Sequence, residues 1–289
     1  MDGILNLPDG RQLEYIDNGI ASDHAIVLHH GSPIEMRFWT STLDQLSGLG
    51  IRAIAFTRPG YGGSTRLPDR NLLDGNADLS NLLSHLDVNN FASIGWSAGG
   101  PPALASGLLD GCVSISAIAS PAPFDAHDLD FYSGMGEEFA KECAATVISL
   151  ESAFEYKQAA TAPFASFSAH DLINALTPRA QMPQYFDLYE VMGQELLDSL
   201  LSALTPDAMG YVEDDRAWLK PWGFKTEDIN VDVDIWLGKN DVFIPAPHAE
   251  WLSRHTKHST LHLLDDQDHI SIWVENKEQI MENAIRALA

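Results

Sequence analysis

Four short apolar runs, residues 25–29, 51–56, 91–94 and 112–119, lie between Gly, Pro or Ser residues and are separated by segments of helix length. No other feature restricts the fold as much. Near-continuous apolar runs suit strands buried on both faces, and parallel neighbours need a helix-length crossover between them. Residues 38–48, 71–86 and 98–109 have the length and spacing of such crossovers. Ahead of them, residues 2–7 and 11–17 flank a Pro8-Asp9-Gly10 turn and read as an opening hairpin. Strand signals resume at 231–237 and 260–264, with helical stretches at 246–256 and 271–288. The pattern predicts an α/β protein built on a mostly parallel sheet covered by helices.

From 121 to 214 the strand pattern stops. Helix-like segments follow one another, broken at Pro163, Pro178, Pro183 and Pro206. The two strands and two helices beyond 214 are too few to bury a core of their own, so they must complete the first sheet. The expected organisation is one core formed by 1–120 and 215–289, with a helical cap over 121–214 inserted between the sixth and seventh strands.

The net charge of -24, from 17 Lys and Arg against 41 Asp and Glu, repels phosphate backbones and anionic lipid, so neither nucleic acid nor membrane is expected as a partner. No basic segment followed by an apolar run opens the sequence, and no run reaches the length of a membrane span, so neither a signal peptide nor a transmembrane helix is expected. The two cysteines, Cys112 and Cys143, have no neighbours at metal-ligand or Cys-x-x-Cys spacing and read as thiols of a cytoplasmic protein.

Gly95-Trp96-Ser97-Ala98-Gly99 stands directly after the 91–94 run and directly before a helical segment. A nucleophile on a strand-to-helix turn needs a tight, strained backbone, and small residues two before and two after it avoid the neighbouring strand and helix. Gly95 and Gly99 supply that room. Free N–H groups at the helix start, Ala98 first among them, favour a developing oxyanion. A Ser97 that merely capped the helix would need no partners elsewhere. A nucleophilic serine needs a base, and the base needs an acid to hold its tautomer.

Both partners have candidates just past strand ends, where catalytic groups of open α/β sheets gather. Asp241 follows the 231–237 run through Gly238-Lys239-Asn240, and His269 follows the 260–264 run in the loop Asp265-Asp266-Gln267-Asp268-His269. The order Ser, Asp, His suits this type of turn. Asp125, shortly after the 112–119 run, competes for the acid's role, with spacing and context favouring Asp241. Asp265, Asp266 and Asp268 read as loop charges or turn formers. A metal site there is not expected, because the run lacks the Gly and terminal Glu of a calcium loop and the chain has no HExxH pair.

One N–H from Ala98 would leave an oxyanion half satisfied. His29-His30-Gly31-Ser32-Pro33 can supply a second donor, the N–H of Ser32, with His30 and Gly31 shaping the turn. Trp39 and Trp96, beside the oxyanion loop and the nucleophile, are candidates to line an apolar acyl pocket.

On these motifs the chain resembles the α/β-hydrolase fold superfamily: HHGSP at 29–33, RPGYGGS at 58–64, GWSAGG at 95–100, and GKNDVFIP with DQDHISI at 238–245 and 266–272. The resemblance implies an eight-stranded sheet, a Ser97–Asp241–His269 triad, an oxyanion hole from the Ser32 and Ala98 backbone, a lid formed by about 121–214, and no cofactor. The serine sets the chain apart from relatives that attack with a carboxylate. Pro101 and Pro102 fall in the first turn after Ser97, where free N–H groups tolerate proline.

The function this predicts is hydrolysis of a small, neutral and apolar carboxylic ester. Between 121 and 215 there are seventeen Asp or Glu against three Lys or Arg, which disfavours an anionic acyl group. Those acids also suggest a second enzymatic reading, a proline-iminopeptidase-like enzyme holding a substrate amine, and carbon-carbon bond hydrolysis is a third. A ligand-sensing protein that keeps the fold and triad with slow or no turnover is the reading from another class.

Overall fold

The computed structural model describes residues 2–289. Its strands fall where the apolar runs do. β1 (Asp2–Asn6) and β2 (Gln12–Asp17) form the opening hairpin; β3 (His24–His29), β4 (Ala53–Phe56), β5 (Asn90–Trp96) and β6 (Cys112–Ile118) follow, and β7 (Asp232–Gly238) and β8 (Ser259–Leu264) close the set. They make one eight-stranded sheet in the order β1-β2-β4-β3-β5-β6-β7-β8, antiparallel at β1, β2 and β4 and parallel from β4 onward. Every residue of β4, and all but the first of β3 and β5, is buried. That burial on both faces is why these strands read as unbroken apolar runs.

The crossover helices are α1 (Thr40–Gly48), α2 (Leu72–His85) and α3 (Gly100–Ser106). Two begin later than the periodicity predicts, because a 3-10 turn comes first, Met36–Trp39 before α1 and Ser97–Gly99 before α3. Pro101 and Pro102 sit in the first turn of α3, where they displace no helical hydrogen bond.

Between β6 and β7 the chain runs through α4 (Glu137–Ile148), α5 (Leu150–Thr161), α6 (Ala169–Leu176), α7 (Phe186–Ala203) and α8 (Met209–Trp218). These helices share the main apolar cluster with the sheet, through Leu172, Leu196, Leu200 and Trp218. After β7 come α9 (Ala246–His255), then α10 (Ser271–Val274) and α11 (Lys277–Leu288) beyond β8. The single helix expected over 271–288 is thus two. Among the described residues no helix is long and apolar enough to cross a membrane.

Candidate active site

The candidate residues lie in the segments that leave the carboxyl ends of β3, β5, β7 and β8, which run parallel to one another. Ser97 follows the last residue of β5 with φ of +57°, a left-handed conformation that strains a non-glycine residue. The turn is possible only because its flanking residues lack side chains. A Cβ on Gly95 would lie 2.2 Å from the Gly99 carbonyl oxygen and 2.7 Å from Ala103 Cβ, and one on Gly99 would lie 2.2 Å from the His29 oxygen. Steric exclusion therefore explains both glycines of the motif.

Asp241 and His269 are brought together by close approach of their two loops. Gly238 packs so tightly on the Gln267 carbonyl that a Cβ would sit 2.3 Å from it, and the Asn240 N–H donates to that carbonyl at 2.9 Å. His269 Nδ1 then meets Asp241 Oδ2 at 2.7 Å, while its Nε2 lies 2.9 Å from Ser97 Oγ. Asp241 is buried, and its other oxygen accepts from the Phe243 and Ile244 N–H groups at 2.8 and 2.9 Å. With one oxygen fixed by backbone, the other is held facing the imidazole. Trp96 Nε1 donates to the His269 carbonyl at 3.0 Å and fixes the histidine from the opposite side.

Asp125 is solvent-exposed and does not take the place of Asp241 at the imidazole. Asp265 and Asp266 are exposed too. Asp268 is a turn former, accepting from the N–H groups of Ile270 and Ser271, and it also accepts from Thr177 Oγ1 of the inserted helices at 2.5 Å. Among the described residues, no group of three or more His, Cys, Asp or Glu is arranged to hold a metal ion.

A cavity of about 190 Å³ opens over Ser97. Ser32, Ala98, Trp96 and His269 form its floor, and Phe139, Phe164, Leu172, Leu196, Leu200 and Trp218 of the inserted segment form its roof. Of the two candidate tryptophans, Trp96 lines this cavity. Trp39 does not: it is fully buried, packed against Phe38 and Trp273 at ring separations of 4.9 and 5.0 Å, and serves the core. Trp39 ends the 3-10 turn that follows the 29–33 loop, and its ring is turned into the core.

The acidic count of the inserted segment also misdescribes the cavity. Most of those carboxylates face water, and only Glu142 and Asp215 reach its wall. There Lys157, fully buried, donates to Glu142 at 2.7 Å and to Asp215 at 2.6 Å, and Tyr211 donates to Glu142. Burial pushes the Asp215 carboxyl up to about 6 despite the ammonium beside it. The wall is thus apolar with one half-neutralised charged corner.

A second buried ionic group lies beneath Ser32. Asp214 takes Arg58 through two contacts of 2.8 and 2.6 Å, Arg70 at 2.5 Å and the Ser32 hydroxyl at 2.5 Å. Burial alone would raise this carboxyl, but the two guanidinium groups hold it below the ordinary range. His30, neutral because burial lowers its pKa, donates from Nδ1 to the Gly31 carbonyl at 2.7 Å and accepts the Arg58 N–H at Nε2. Sequence reasoning named His30 and Gly31 but missed Arg58 and Asp214. Arg58 opens the RPGYGGS motif, a visible signal; Asp214, distant in sequence, has none.

Residues 26–282 match the Alpha/beta hydrolase family. A non-heme haloperoxidase of Rhodococcus erythropolis is 34% identical over 93 residues, 32% of this chain and 33% of that protein. A bifunctional esterase/perhydrolase of Acinetobacter calcoaceticus is 30% identical over 99 residues, 34% of this chain and 36% of the other. The chain therefore spans about a third of the length of these curated relatives. Among solved structures, an esterase from Exiguobacterium antarcticum superposes with a TM-score of 0.71 at 19% identity, over 100% of this chain and 99% of that one. The family match over nearly the whole chain, with the same fold in a solved structure, decides its membership: the chain belongs to the alpha/beta hydrolase family.

Proposed function

We propose that the protein is a serine hydrolase that cleaves a small, neutral, largely apolar carboxylic ester through an acyl-enzyme. The observation that carries this reading is the unbroken contact chain from Asp241 through His269 to Ser97 at the floor of an apolar cavity. His269 Nε2 takes the Ser97 proton as Oγ attacks the carbonyl carbon, and the resulting oxyanion is received by the N–H groups of Ser32 and Ala98. Collapse expels the alcohol, which leaves with the proton held by His269. Water, deprotonated by the same imidazole, then attacks the acyl carbon and frees Ser97. Asp241 stabilises the imidazolium in both halves.

In this reading residues 121–214 act as a lid, since they supply the roof of the cavity and choose the acyl group. The substrate is a small molecule, no cofactor takes part, and the free thiols Cys112 and Cys143 fit a cytoplasmic setting. Esterase and esterase/perhydrolase relatives support ester chemistry.

Glu142 and Asp215 on the cavity wall favour one second reading, an aminopeptidase-like enzyme whose substrate amine pairs with them. Comparing release of 2-naphthol from a short-chain ester with release of 2-naphthylamine from its prolyl amide separates the two. Faster ester turnover is expected, and faster amine release would favour the second reading instead.

A further inference from the structure

The Arg58–Asp214 pair lies below the cavity floor, and nothing in the proposed chemistry uses it. Its contacts nonetheless converge on one peptide unit. The Gly31 carbonyl accepts from Arg58 Nη2 at 3.0 Å and from His30 Nδ1 at 2.7 Å, and Arg58 Nη1 also donates to the His30 carbonyl. The Gly31–Ser32 peptide is trans, so the N–H of Ser32 points opposite to the Gly31 carbonyl. Two donors pulling that carbonyl down into the core aim the N–H away from Arg58. Ser32 lines the cavity together with Ser97, and a Cβ on Gly31 would lie 3.2 Å from Ser97 Cβ, so the loop sits directly against the nucleophile.

We infer that Arg58, locked by Asp214, is a positioning residue: it sets the plane of the Gly31–Ser32 peptide and so aims the Ser32 N–H at the oxyanion. This rests on the serine-hydrolase reading above. Three features make the lock rigid. Arg58, Arg70 and Asp214 are all buried, the guanidinium meets the carboxylate through two parallel contacts, and Arg70 fills a further site on Asp214 Oδ1. Asp214 also accepts from the hydroxyl of Ser32 itself, which tethers the residue that carries the donor. Because Asp214 lies on α8 and Arg58 just beyond β4, the lock ties the inserted helices to the loop that binds the oxyanion. Lysine could keep the charge at 58 but could not hold Asp214 in a fork and both carbonyls at once.

The experiment measures kcat, KM and the Ki of a trifluoromethyl ketone for Arg58→Lys and Ser32→Ala. The ketone adds to Ser97 and places an oxyanion where the donors act. Arg58→Lys is expected to lower kcat by about tenfold or more with KM little changed, and to raise the ketone's Ki by a similar factor. Ser32→Ala keeps the N–H and removes only the tether, so the same pattern is expected with a smaller amplitude. Arg66→Ala, which breaks the ion pair between the half-exposed Arg66 and the buried Glu213 of α8 without touching Arg58, Asp214 or Ser32, should leave all three constants unchanged. If both test variants fold and keep kcat and Ki within about twofold of wild type, or if KM alone rises, the inference is overturned. If Arg58→Lys does not fold, Ser32→Ala decides alone on the same criterion. Wild-type turnover in Ser97→Ala would overturn the underlying reading, and the inference with it; dependence on Ser97 with unchanged variants overturns the inference only.

Discussion

The cavity's size makes a quantitative expectation about the acyl chain. An apolar cavity of roughly 150 Å³ holds a benzene molecule, so the 190 Å³ above Ser97 holds about seven or eight carbons. Each methylene buried there contributes about 0.8 kcal/mol, or roughly fourfold in kcat/KM. Across p-nitrophenyl esters, kcat/KM should therefore rise by about fourfold per methylene from acetyl, peak near hexanoyl to octanoyl, and fall beyond it, where the chain meets the wall. Leu200, on α7 and lining the cavity, is the residue to shorten. Leu200→Ala removes three carbons from the wall and should move the maximum two to three carbons longer. It should also destabilise the fold by about 2–5 kcal/mol, so rates are compared well below its melting temperature. The assay is release of p-nitrophenol at subsaturating ester. A flat profile, a maximum at acetyl, or an optimum that Leu200→Ala leaves in place would refute the assignment of this cavity to the acyl group.

Two further outcomes follow from the fold. His248 is buried and neutral, accepting the Ala122 N–H at 3.2 Å and donating to the Phe131 carbonyl at 2.9 Å, and burial lowers its pKa to about 4. Between that value and the unfolded value near 6.5 the unfolded chain binds the extra proton, so stability falls as pH drops through this window. Urea unfolding should show the wild type losing up to about 3 kcal/mol more than His248→Gln between pH 7 and pH 4; parallel losses would contradict this. A Cβ at Gly75 on α2 meets nothing within 4 Å, whereas one at Gly95 overlaps the Gly99 carbonyl. Gly75→Ala should therefore raise stability by about 0.5–1 kcal/mol in thermal melts, while Gly95→Ala should not yield the native fold; similar melting of the two would refute the steric account of the Ser97 turn.

The middle of the sheet was legible because β3, β4 and β5 are buried on both faces, which imprints a local pattern of apolar runs on the chain. That these three side chains meet was legible because Ser97, Asp241 and His269 each stand within a few residues of a strand end, with glycines marking where backbone approaches backbone. What local pattern cannot show is which side chain faces which. Trp39 and Trp96 had equal claims to the cavity, and the first instead packs in the core against Phe38 and the sequence-distant Trp273. Asp214 and Asp215 are neighbours on α8, yet one grips Arg58 beneath the 29–33 loop and the other meets Lys157 at the cavity wall. Their assignments depend on how α8 packs against α4, α5 and the loop after β4, a long-range property that a charge count averages away.

The central claim is that Ser97 is an activated nucleophile, and labelling by a fluorophosphonate tests it most directly. Peptide mapping by mass spectrometry should find one label per chain, on Ser97, absent in Ser97→Ala and strongly slowed in His269→Ala. An unlabelled wild type, or a label on another serine that persists in Ser97→Ala, would contradict the account.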